Sequence, residues 1–114
     1  MNNAGVKGSF GFETTGVFLA GSPATGAVAF IGELKLDGDG VIGGYVASSE
    51  DGTFAEEPVT GSYTVNPKTC RGRATITPTG LLEMHFGFVI VDGGNELLVI
   101  ETDANTVVSG TLQR

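Results

Sequence analysis

Glu101 is the residue best placed to do chemistry. It follows Leu97 and Val99 at the two-residue period of a strand, in a run from Glu96 to Thr102 whose other parity, Leu98 and Ile100, is also apolar. A carboxyl group buried in such a strand has a raised pKa and can serve as an acid or as an anchor for a ligand. Its nearness to the strand end before Asp103 supports a plainer alternative, a side chain reached by water. Tyr63 lies on the inward parity of Val59, Gly61 and Val65, where it offers a phenolic hydrogen bond inside a pocket or packs its ring with the hydroxyl satisfied locally. Glu101 as acid or base and Tyr63 as donor form the candidate catalytic pair.

Other residue types carry less chemistry. His85, the only histidine, shares parity with Glu83 opposite Met84 and Phe86, which is a surface pattern; on a covered face the two would exchange a proton. Cys70, at the start of a strand, reads as a packing residue with no histidine near in sequence to activate a thiolate. Asp37-Gly38-Asp39-Gly40 resembles part of a calcium loop, but no further acid follows until Glu50, so it reads as a glycine-rich hairpin turn. One histidine, one cysteine and dispersed acids give no metal-ligand spacing, and no phosphate-binding loop is present. Neither a metal nor a cofactor is expected.

The elements that must position these residues are strands. Val59 to Asn66 and Arg71 to Thr77 alternate strictly around Asn66-Pro67-Lys68-Thr69, which joins them as an antiparallel hairpin. Before them come a strand from Val6 to Glu13 with a bend or bulge at Thr14-Thr15-Gly16, and an extended Val17 to Ala20. A loop follows over Gly21 to Gly26, then strands at Ala27–Leu36 and Val41–Ser48. A short extended piece near Phe54 is expected to end at Glu56-Glu57-Pro58. After the turn at Thr77 to Gly80, Leu82, Met84, Phe86, Phe88 and Ile90 make the longest one-sided apolar row. Asp92-Gly93-Gly94-Asn95 turns the chain into the Glu101 strand, and Val107 to Leu112 closes it. Apolar residues on both faces of the Glu101 strand predict that a loop or another subunit covers its outer side.

Composition limits the function classes. The chain of 114 residues fits a single domain, 1–114, and its 19 glycines oppose helix while suiting tightly turning strands. Thirteen acidic residues against six basic ones give a net charge of −7, which opposes binding to nucleic acid or to an anionic membrane. Arg71 and Arg73, the one close basic pair, share an outward strand face. No apolar run reaches the roughly 20 residues of a spanning helix, and Met1 to Gly8 lacks the pattern of a secretory signal, so a cytoplasmic location is expected. About eight strands with hairpin connections predict an all-β fold, a single closed antiparallel barrel.

Three segments, taken in order, resemble small bacterial proteins with an allene oxide cyclase-like, or broadly calycin-like, barrel: Gly32 to Gly40, Gly61 to Pro67 with Cys70-Arg71-Gly72, and Glu101-Thr102-Asp103 through Gly110. The resemblance spans about Gly5 to Leu112 and implies the barrel. Some such proteins cyclise or rearrange hydrophobic substrates inside it, and many small ones have no assigned activity. Glu33, Tyr63, Cys70 and Glu101 do not match a catalytic set residue by residue, so no reaction is carried over. The leading expectation is a barrel that binds a small hydrophobic molecule in its interior. The alternatives are a cyclase or isomerase using Tyr63 and Glu101, and a filled barrel whose exposed apolar face assembles into a homo-oligomer.

Overall fold

The alternating sequence folds as strands throughout. A computed structural model of the protein describes residues 2–20, 25–80 and 83–114. Its eight strands are β1 (Gly8–Phe18), β2 (Gly26–Leu36), β3 (Val41–Glu50), β4 (Thr53–Asn66), β5 (Arg71–Pro78), β6 (Met84–Val91), β7 (Glu96–Glu101) and β8 (Thr106–Gln113). Each pairs antiparallel with the next, and β8 pairs with β1 to close the barrel. The row that begins at Gly8 runs through Leu36, Ile42, Gly61, Ile76 and Met84. Carried on through the β7–β8 hairpin, it re-enters β1 at Phe18, opposite Thr106. That stagger tilts the strands by about 40° to the barrel axis.

Inward residues follow the predicted parity. Phe10, Phe12, Leu34, Ile42, Phe86 and Leu97 are all buried in one core. Met84, Phe88 and Ile90 join them, while Leu82 of the predicted row lies outside the described residues, as do Gly21 to Ala24 of the predicted loop. At Gly110 a Cβ would collide with the carbonyl oxygen of Glu13, so glycine there lets β8 close against β1. The turns use the expected chemistry. Asp37 Oδ1 accepts the amides of Asp39 (2.7 Å) and Val41 (2.9 Å), with Gly38 and Gly40 at positive φ.

Three expectations need correction. Val6 belongs to a 3-10 turn, Asn3–Val6, and not to the first strand; fully buried, it plugs one mouth of the barrel. No bulge interrupts β1 at Thr14 to Gly16, whose register with β2 is continuous. β4 also passes through Glu56-Glu57-Pro58 without a break. Pro58 lies opposite Tyr45 of β3, and its carbonyl accepts the Thr79 amide at 3.0 Å, just beyond the end of β5. A residue in an antiparallel strand directs its N–H and C=O to the same side, so the missing donor falls opposite Thr79, where β5 has ended, and leaves out only the last bond of that ladder and none with β3.

Candidate functional site

The odd-numbered strands run away from the plugged mouth, and their far halves carry the buried polar side chains Thr14, Ser48 and Glu101. Glu101 is only 7% exposed. Its Oε1 and the Thr14 hydroxyl are buried without a hydrogen-bond partner. Burial, reinforced by a hydrogen bond to Asp103 and by that group's charge, pushes the Glu101 pKa up to about 8. At neutral pH it is therefore mainly the neutral acid.

Asp103, in the β7–β8 turn, ties Glu101 to His85 on β6. Its Oδ2 accepts the His85 amide at 2.9 Å, and its Oδ1 lies 2.7 Å from His85 Nδ1. Burial raises the Asp103 pKa, but the His85 amide and ring more than offset this, so the net shift is downward. The His85 pKa is raised, first by the hydrogen bond to Asp103. Nε2 on the other side of the ring lies 3.6 Å from Glu83 Oε2. Glu101, Asp103, His85 and Glu83 thus form a chain of exchangeable groups from the interior to the surface. The expected surface position of His85 agrees with its side-chain exposure of 45%. Its partner Asp103, eighteen residues away, was legible only through the hairpin register, which brings the strand after the turn back beside β6.

Tyr63 is not part of this cluster. Its hydroxyl accepts the Gly38 amide at 2.8 Å and donates to the Asn3 carbonyl at 3.3 Å, fastening the N-terminal plug to the β2–β3 turn. Burial raises its pKa. Tyr63 pairs with Ala74, Ala74 with Phe86, and Phe86 with Glu101, so the two candidate catalytic residues are three strand spacings apart, about 14 Å along the sheet. The structure therefore assigns Tyr63 a fastening role. Tyr63→Phe is expected to lower stability by about 1–2 kcal/mol through the orphaned Gly38 amide, read from urea unfolding. Cys70 packs against the core at positive φ in the β4–β5 turn, and Glu33 is exposed on β2.

Inside the barrel, the space between Phe12, Leu34, Ile76, Phe86, Phe88 and Leu97 amounts to about 20 Å³ and is wholly apolar. It is the size of one water and offers that water nothing to bind. Outside, an open groove of about 680 Å³ runs over β5 to β7, lined by Arg71, Arg73, Val89, Leu98 and Ile100. Its floor is Gly87, over which the Arg73 guanidinium lies. Among the described residues neither arginine makes an ion pair, and none covers Leu98 or Ile100, which are 47% and 58% exposed.

Fold and site together define a small eight-stranded antiparallel meander barrel with a tightly packed apolar centre and an acid–histidine chain at one mouth. Comparison with family models, with curated proteins and with solved structures finds no match. Among the described residues, no helix is long and apolar enough to cross a membrane, and no group of acidic, histidine and cysteine side chains could hold a metal ion.

Proposed function

We propose that this barrel acts through its outer surface, as an assembly module built from copies of itself. The observation that carries this is the packed barrel centre: about 20 Å³ of free space among the described residues, against the roughly 300 Å³ or more of an ordinary ligand site. The expected hydrophobic ligand would need more room there than the lining, Phe86 and Phe88 among it, leaves. The outer surface, by contrast, exposes Ile31, Phe54, Leu98, Ile100 and Val107, each by more than 45%. The likeness of the three sequence segments to allene oxide cyclase-like barrels belongs to this reading as a proposed kinship of fold. Sedimentation velocity from about 1 to 100 µM, a range in which a specific interface of standard size associates, tests the reading. Concentration-dependent association supports it, and a monomer throughout rejects it.

A second reading, acid–base chemistry on a small hydrophobic substrate, is favoured by one separate observation. Glu101 is a neutral, buried acid with an unpartnered oxygen, linked through Asp103 to a surface histidine. Turnover abolished by Glu101→Gln and unaffected by Tyr63→Phe would support this reading, since the two residues are far apart.

A further inference from the structure

The outer surface carries two faces of opposite character. The groove over β5 to β7 is concave and basic in an otherwise acidic chain. Arg71 and Arg73, two of the chain's six basic residues, line it, and the groove wall is aliphatic through Val89, Leu98 and Ile100. Across the closed strand order, β3 and β4 present the converse. Phe54 is 66% exposed and Tyr45 is 42% exposed. Glu56, on the same outward parity as Phe54, takes a hydrogen bond from the Tyr45 hydroxyl, which raises the Tyr45 pKa and orients the carboxylate beside the ring. Glu50 and Asp51, at the head of the same hairpin, add negative charge.

We infer that the β3–β4 ridge of one copy docks in the β5–β7 groove of the next, with Phe54 on Leu98 and Ile100 and Glu56 beside Arg71 and Arg73. This rests on the assembly reading and specifies its interface. Charge selects the pairing: groove against groove would oppose two arginine pairs, and ridge against ridge would oppose carboxylates, whereas ridge against groove pairs opposite charges and covers both apolar surfaces. A carboxylate is the partner that two adjacent guanidinium groups bind best, and none is supplied within the described residues. The ridge and the groove are different patches of the closed ring, one on β3 and β4 and the other centred on β6. The contact is therefore head-to-tail and makes open chains or rings instead of a closed two-fold dimer.

The test uses the whole chain in sedimentation velocity, with circular dichroism to confirm the strand signal. The wild type is expected to associate beyond the dimer, less so at high salt. A groove variant, Arg71→Gln with Arg73→Gln, and a ridge variant, Phe54→Ser with Glu56→Gln, are each expected to associate at least about tenfold more weakly. All four positions are exposed, so folding should survive. Mixed in equal amounts, the two variants are expected to form a one-to-one complex that does not grow, because one retains an intact ridge and the other an intact groove. Association of the wild type that neither variant weakens, or a mixture that stays monomeric, overturns the ridge-and-groove interface and leaves the assembly reading standing. A wild type that remains monomeric overturns both.

Discussion

Phe86→Ala is expected to lower the unfolding free energy by about 3–5 kcal/mol. The ring is 2% exposed, pairs in register with Ala74 and Glu101, and meets Phe12 edge-on at 6.1 Å between centroids with an interplanar angle of 88°. Removing it deletes the transfer free energy of a benzyl group and that aromatic contact. It also enlarges a void of about 20 Å³ that is apolar and gives water no hydrogen bond. The cavity cannot collapse easily, because neighbouring strands are held by ladders on both sides. Phe86→Leu keeps most of the volume and should cost no more than about 1.5 kcal/mol. Urea unfolding at pH 7 distinguishes the cases; a midpoint unchanged by the alanine would place the ring outside the core.

Stability should fall as the pH rises from about 5 to about 9. A carboxyl group whose folded pKa is about 8 against an ordinary 4.5 binds its proton more tightly in the folded state. Between those values the folded chain holds a proton that the unfolded chain has released, so the slope of stability with pH is negative. The benefit is complete below about 4.5 and lost by about 8 to 9, and amounts to something on the order of 4 kcal/mol. His85 acts in the same direction: its raised pKa contributes stability below 6.5 that disappears as pH passes the folded value. Asp103, with a lowered pKa, contributes stability above 3.8 and loses it only in more acidic solution, outside this window. Glu101→Gln keeps a neutral donor for Asp103 and removes the titration. It should flatten the profile and raise the melting temperature at pH 9 above that of the wild type. Parallel profiles for the two proteins would mean that Glu101 ionises freely in the fold.

The alternation of side chains was sufficient to place the strands, because the period of two is a property of the extended backbone and survives any register. It put Phe86 and Tyr63 inward and Arg71 and Arg73 outward, as found, but did not choose between the two apolar faces of the strand that carries Leu97 and Leu98. For Glu101 it left two places open, inside by parity with Leu97 and Val99 or in water at the strand end, and the structure buries it. The turns at Asp37 and Asp92 were equally legible through glycine and aspartate, whose backbone freedom and short side chains act locally. The sequence by itself thus determined the all-β class and the faces of those strands that are apolar on one side only.

What tertiary structure alone decided was everything that depends on two strands at once. The register, read through Ala74 and Phe86, separated Tyr63 from Glu101. It also let β4 continue through Pro58, a breaker only where a partner needs its N–H. Asp103 reached His85 because the β6–β7 register carries the end of β7 alongside the start of β6, which no local pattern encodes. How much space the barrel centre keeps depended on the sum of many side-chain volumes against a diameter set by strand number and stagger, and among the described residues that balance left about 20 Å³ there.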